Sequence, residues 1–567
     1  MGSFMPERFD FIVVGAGAAG AILAARLVNS KQRPSVLLVE AGGKNDSKDT
    51  RADADRWIHR MIPSQNWGYK TAPIKGFDGN IVDYDRGKGL GGSTSINFSV
   101  WTIGPKDDHD QIAHLVGDDE WSWTNAQKRY KRIESYSTAD VPADARRYLD
   151  PNPKDHGSAG PVKVGFPKVW EPSCTALMDI WYANGVSFNP DHNDGNPIGL
   201  AACVTSAQKG VRSTSADALA GAPSNLHILV DTEVAQVTFD GTKATGIKTL
   251  EGRIFQADKE VILASGALDS PRILLHSGIG PVEELQRFNI PIVKGNENVG
   301  RNLKDHHHIM IPALRADHTS DRTRFYRSKE LQAAARAAWA KDGSGPFSEY
   351  SCAMGIGYFK AEKLYDSPEF KALPQQQQDF LREPTVPHYE VILNGPWLPN
   401  FIDPENAQAG TTIFLFVLNQ QSTGATRLQS ADPKQPLVFD PNFFDHPFDK
   451  RVAVEATREV LKIMNSPEFQ KDTLGIDGPK SDSEDDILAF WRANSGSTWH
   501  MMGTARMGKE EATAVVDKDF KVFGVEKLRV ADMSVIPIVC NNHTQTTAYL
   551  AGLTAGDKLA QEYGLDG

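Results

Sequence analysis

One local pattern constrains this chain more than any other. An apolar run at 11–14 enters Gly15-Ala16-Gly17-Ala18-Ala19-Gly20 and continues into an Ala-rich stretch at 21–27. A second apolar run, Val36-Leu37-Leu38-Val39, ends in Glu40, twenty residues past Gly20. Read as strand, tight turn, helix, strand and acidic residue, this is the fingerprint of a dinucleotide-binding βαβ unit. Gly15 permits the turn, Gly17 lets the backbone approach a pyrophosphate, and Gly20 lets helix and strand pack closely. The phosphates would meet the helix N-terminus at Ala18 and Ala19, where free N–H groups and the dipole favour negative charge. Glu40, followed by Ala41, stands where a ribose hydroxyl pair is bound. The pattern specifies an adenine dinucleotide and leaves FAD and NAD both open.

At 567 residues the chain has room for two domains. Its net charge of −11 argues against nucleic acid or an anionic membrane as partner. The N-terminus lacks the basic start and apolar stretch of a signal peptide, and Pro6 stands where a myristoylation site wants Ser or Thr. No run is long enough to span a bilayer, so a cytoplasmic or otherwise intracellular location is expected. Cys174, Cys203, Cys352 and Cys540 are scattered without a CxxC pair, which fits a reducing compartment with no disulfide framework and no zinc site. His306-His307-His308 invites a metal reading. Three successive side chains cannot converge on one ion from a helix or strand, so a polar loop is expected there.

Residues 225–266 read as strand after strand. Alternating apolar positions reach Phe239, Asp240-Gly241 turns the chain, further strands are expected at 246–250 and 253–257, and a buried strand at 261–264 leads to Ser265-Gly266. From about 315 to 495 the composition changes. Helices are expected near 328–340 and 447–464, a buried strand at 414–417, and aromatics thicken at Phe347, Tyr350, Tyr358, Tyr389, Trp397 and Phe401. This stretch reads as a second domain laid over the cofactor, its aromatics mostly core.

Three further segments carry the chemistry: Arg86-Gly87-Lys88-Gly89-Leu90-Gly91-Gly92-Ser93-Thr94-Ser95-Ile96-Asn97; the stretch 266–280, opening Gly266-Ala267-Leu268-Asp269-Ser270-Pro271; and a C-terminal region with His500-Met501-Met502-Gly503-Thr504, Val530-Ala531-Asp532 and His543-Thr544-Gln545. Together with the glycine turn, and in this order along essentially the whole chain, they resemble the glucose-methanol-choline (GMC) oxidoreductases. Within that family the resemblance is strongest to the fungal aryl-alcohol oxidase and formate oxidase branch.

The resemblance implies FAD and an α/β architecture, α+β overall. A Rossmann-like FAD-binding domain would comprise 1–160, 205–314 and 496–567. A substrate-binding domain built on an antiparallel sheet with helices would comprise 161–204 and 315–495. It implies flavin contacts from Arg86, Gly91, Gly92, Ser93, Asn97 and Phe98, adenine contact at Val234, ribityl and pyrophosphate contact at Asp532 and Met533, and ring contact from Thr544 and Gln545. Some members attach flavin covalently through a His just before this Asn. Ile96 holds that place here, so non-covalent FAD is expected.

Alcohol oxidation needs the hydroxyl proton removed as hydride leaves carbon, and a neutral imidazole suits that task. The resemblance assigns it to His500, with His543 steadying the substrate oxygen. Asn542-His543-Thr544 also spells a glycosylation sequon, which an active-site position makes a false positive. Glucose-oxidising members carry Arg four residues before the catalytic His, where this chain has Gly496. Trp499 precedes the His, and with Phe98, Trp397 and Phe401 it is expected to line an apolar pocket. An aromatic or small non-sugar alcohol is therefore expected as substrate, oxidised to the aldehyde and on to the acid through its hydrate, with O2 or another acceptor taking the electrons. Formate oxidase has Arg at the position of His543, so formate is expected to be a poor substrate. The alternatives are a dehydrogenase using a quinone-type acceptor and a non-redox lyase or cyclase on the same fold. The run Gly552-Leu553-Thr554 departs from a family Gly-Glu-Lys pattern. Oligomeric state is not legible.

Overall fold

The computed structural model describes residues 7–52, 60–320, 322–349, 355–394 and 406–567. The chain opens with β1 (Arg8–Val14), α1 (Ala18–Val28) and β2 (Val36–Val39), as the fingerprint requires. Then follow β3 (Leu226–Leu229), β4 (Val234–Asp240), β5 (Lys243–Thr249), β6 (Ile254–Leu263) and α2 (Gly266–His276). The second half holds β7 (His307–Arg315), β8 (Gly355–Phe359), β9 (Tyr389–Asn394), β10 (Gly410–Val417), α3 (Pro447–Met464), β11 (Thr473–Ile476), β12 (Gly496–Ser497), β13 (Leu528–Val530) and α4 (Gln545–Glu562).

A seven-stranded sheet runs β3-β2-β1-β6-β5-β4, with β13 also paired to β6. The pairs β3–β2, β2–β1, β1–β6 and β6–β13 are parallel, and the β4–β5–β6 meander is antiparallel. All four residues of β2 are buried, the signature of a strand covered on both faces. The strands expected at 253–257 and 261–264 are one. Residues 254–263 run unbroken, pairing with β5 along the first part and with β1 and β13 beyond it.

The second sheet is antiparallel, in the order β8-β9-β10-β7-β11, with β12 on β7. The helices expected at 328–340 and 447–464 are Lys329–Asp342 and α3. His306 to His308 do not form a polar loop. All three are buried, and His307 begins β7. The strand at 307–315 crosses the boundary expected at 314, and we propose dividing the chain near 306 instead. Among the described residues no helix is long and apolar enough to cross a membrane.

α4 packs along α1. A Cβ on Gly552 would lie 2.2 Å from the carbonyl oxygen of Ala19. Leu553 beside it is buried. The departure at 553 and 554 has no structural explanation.

Candidate active site

The glycine turn is fixed by close backbone approach. Gly15 adopts φ +101°, and a Cβ there would sit 2.5 Å from the Ala264 carbonyl oxygen on β6. A Cβ on Gly20 would meet the Gly15 carbonyl oxygen at 1.9 Å. Gly17 differs: a Cβ there would meet only the Cα of Gly92, at 3.9 Å, so its face is open. It caps α1, whose first turn carries no side-chain cap and no acidic residue. An open cradle at uncapped N–H groups fits the pyrophosphate of an adenine dinucleotide.

Glu40 is buried, and its carboxylate is engaged by backbone. It accepts from Ala16 N–H at 2.9 Å, Gly42 N–H at 3.0 Å and Gly89 N–H at 2.9 Å. Burial pushes its carboxyl above the usual range, and the amide donors oppose that shift. It thus ties the glycine turn to the second glycine loop, a task the sequence reading did not assign.

A continuous cavity runs from this turn to the other end of the site. Of the expected cofactor residues it is lined by Gly15, Gly17, Ala18, Ala19, Glu40, Ala41, Arg86, Gly92, Ser93, Asn97, Phe98, Val234, Asp532, Met533, Thr544 and Gln545. Gly20 and Gly91 lie behind the wall. Gly91 has φ +96°, and a Cβ on it would meet the Ser95 hydroxyl oxygen at 2.4 Å. Asp532 caps the approach to α2, accepting from Gly266 N–H at 2.8 Å, the Ser270 hydroxyl at 2.5 Å and Ser534 N–H at 2.8 Å. The Asn97 amide donates to the Gln545 side chain at 3.2 Å, and its oxygen accepts from the buried Arg212 at 2.8 Å. These bonds hold the cradle's middle section rigid.

His500 and His543 meet at the far end, ring centroids 4.9 Å apart and nearly perpendicular. His500 is buried and lines the cavity. Its backbone N–H donates to Asp305 Oδ1 at 2.7 Å, and Asp305 also accepts from the Ser497 hydroxyl at 2.5 Å. Its Nδ1 lies 3.0 Å from His306 Nδ1. Burial pushes the His500 imidazole well below its ordinary value, and the neighbouring His543, His306 and Arg86 push the same way. The His500 imidazole is therefore neutral near pH 7. Burial raises the Asp305 carboxyl to about 7. His543 Nε2 donates to Glu390 Oε1 at 2.7 Å, and its backbone N–H donates to the Thr102 hydroxyl at 2.8 Å.

Phe98 and Trp499 stack at 6.2 Å, and Phe414 and Phe416 at 6.1 Å. With Ile392 they line the cavity at the histidine end. Trp499 adopts φ +60°, a left-handed conformation costing of order 1–3 kcal/mol for a non-glycine residue. It is over-determined: Ser497 hydroxyl accepts from its N–H at 2.8 Å, Arg86 donates to its carbonyl at 2.5 Å, and its indole donates to the Asp83 carbonyl at 2.9 Å. Trp397 and Phe401 lie outside the described residues. Sequence reasoning missed Asp305, His306, His308, Glu390, Phe414 and Phe416. A carboxylate in the apolar strand β9 and a histidine run at the head of β7 were the available signals.

Comparison with known proteins gives the arrangement its class. The family model for GMC oxidoreductase, N-terminal part, matches residues 9–308, and the C-terminal part matches 420–552. Pyranose dehydrogenase 3 of Leucoagaricus meleagris is 30% identical, over 98% of this chain and 93% of its own. Mitochondrial choline dehydrogenase of Homo sapiens is 28% identical, over 98% and 90%. Among solved structures, a formate oxidase variant from Aspergillus oryzae, studied for its FAD modification, superposes with TM-score 0.90 at 26% identity, covering 99% of this chain and all of the other. A fungal aryl-alcohol oxidase shares the fold with TM-score 0.87 at 22% identity, covering 99% of this chain and all of the other. The chain belongs to the GMC oxidoreductase family. It is an FAD-dependent oxidoreductase acting on CH–OH donors, alcohols or sugars.

Proposed function

We propose that this chain oxidises a primary alcohol, aromatic or small and unhydroxylated, to the aldehyde, with His500 taking the hydroxyl proton. The observation that carries this reading is the His500–His543 pair facing a cavity end walled by Phe98, Trp499, Phe414, Phe416 and Ile392. An apolar aromatic wall with two convergent polar groups suits a flat alcohol, and it offers few partners for sugar hydroxyls. At Gly496, where an Arg would bind sugar, the His308 ring fills the space: a Cβ would lie 3.2 Å from it.

His500 reaches the cavity with its Nε2 free of hydrogen bonds to the described residues, while its Nδ1 is held by His306. It accepts the hydroxyl proton at Nε2. His543, fixed by Glu390, orients the substrate oxygen and stabilises its developing charge. FAD, when bound, supplies the two-electron acceptor for the hydride. Gly15, Gly17, Gly20, Gly92 and Glu40 shape its adenosine-pyrophosphate cradle, and Asn97, Thr544 and Gln545 face the ring end. Ile96 lines the cavity and offers no nucleophile, so the flavin is held non-covalently. Acid precipitation should release the yellow colour into the supernatant.

O2 is proposed as electron acceptor, giving H2O2. A quinone-type acceptor is the second reading, favoured by the dehydrogenases among the relatives. Formate is expected to turn over poorly, since His543 offers no fixed cation for a carboxylate. The test is a panel of benzylic alcohols, glucose, choline and formate, followed by flavin bleaching without oxygen and then by peroxide in air. A benzylic alcohol should bleach fastest. Faster bleaching by glucose, or cleavage of a hydroxynitrile with no bleaching by any alcohol, would remove the reading.

A further inference from the structure

The histidine run has a division of labour. Its alternation sends His307 into the core against Phe443, Phe444 and Trp491. It sends His308 to the cavity wall and His306 to His500. The His306 contact is clasped from both sides. Its carbonyl accepts from Thr498 N–H and from the Thr498 hydroxyl, each at 3.0 Å, while Asp305 holds the His500 backbone. The two rings stand at 82° with centroids 5.2 Å apart.

Two nitrogens 3.0 Å apart share one hydrogen. If His306 donates, His500 carries its proton on Nε2 and cannot take another there. If His500 donates, Nε2 is bare and faces the cavity. Proton uptake at Nε2 then leaves the Nδ1–H donating to the same lone pair, with nothing to rearrange. Burial holds the His306 imidazole far below its ordinary value, at about 3, so it is neutral, and as an acceptor at Nδ1 it carries its own hydrogen on the buried Nε2.

We propose that His306 is a positioning residue that selects the Nδ1–H tautomer of His500, acting as a neutral orienting acceptor where a carboxylate could have stood. The inference rests on the reading of His500 as base. An uncharged partner orients the ring without making it basic, so His500 stays deprotonated in working conditions. The other groups facing His500 are Arg86, Asp305, His308 and His543. Among them Asp305 engages its backbone and leaves the ring to His306.

The test uses holoenzyme and the limiting rate of anaerobic flavin bleaching. His306→Leu should slow bleaching about 10- to 100-fold with FAD content retained and alcohol affinity little changed. His306→Asn, whose Oδ1 can accept the same hydrogen, should restore most of the rate. His306→Asp should move the acid limb of the pH profile upward, because a carboxylate favours the imidazolium. In the parent with 15N-labelled histidine, His500 should show protonated Nδ1 and His306 unprotonated Nδ1, a readout independent of variant folding. A parental rate in His306→Leu, an unmoved acid limb in His306→Asp, or the reverse tautomers would overturn the proposal. Base and orienter fail separately: His500→Ala tests the first, and a slow His500→Ala beside a fast His306→Leu would sink only the second.

Discussion

His156 and His500 are both buried imidazoles, and their partners differ in charge. His156 lies between Glu134 at 3.1 Å and Asp191 at 2.8 Å, stacked on Tyr136 at 3.7 Å. Burial alone would push it down, but the two carboxylates override burial and hold it at about 9. His500 faces His306, His543 and Arg86, and every influence adds to burial in pushing it down. One ring is a locked cation that pins the segment at 134–136 to the loop at 189–193. The other is a free base facing a cavity. Burial alone assigns neither role; the charge of the hydrogen-bond partner does.

A second contrast separates the ends of the cavity. The cofactor end is built from backbone approaches, where glycines exclude side chains. The reaction end is built from side chains brought together over long sequence distances. Gly15→Val should give the largest effect, loss of bound FAD measured by absorbance of the purified protein. It adds a side chain at φ +101° where a Cβ already lies 2.5 Å from a carbonyl oxygen. A yellow Gly15→Val protein would break the contrast.

His156→Gln should cost about 3 kcal/mol of unfolding free energy at pH 6, read from urea melts. The sign follows from the raised value. Stability from a raised imidazole is fully present below its ordinary 6.5 and is lost as pH rises through about 9. The gap between parent and variant should therefore narrow by pH 10, and a constant gap would contradict the cation. Glu390→Gln should slow flavin bleaching about 10- to 100-fold by loosening His543, with FAD retained. The smallest effect is a pH shift. The base form of His500 must be present, and its lowered value keeps it so, so the acid limb of the bleaching rate should lie well below 6.5.

What was legible in the sequence follows the same division. The glycine turn declares itself because its physics is local, and the helix at 447–464 lies where its pattern placed it. His500 and His543 were legible through the motifs around them. Their supports were not. Asp305 and His306 reach His500 across nearly two hundred residues, and Glu390 reaches His543 across more than one hundred and fifty. Glu390 stands alone among apolar neighbours in β9, and that mismatch was its signal. Successive side chains of the histidine run diverge. The same divergence, applied to a strand, gives two rings to the cavity side and one to the core.

The central claim is that His500 takes the proton while the cradle at the other end holds the flavin without its help. The direct test is anaerobic stopped-flow bleaching of His500→Ala with a benzylic alcohol, with FAD content measured in the same sample. Full FAD occupancy and a limiting rate about 10²–10⁴-fold below the parent are expected. Bleaching at close to the parental rate, with FAD equally bound, would contradict that claim.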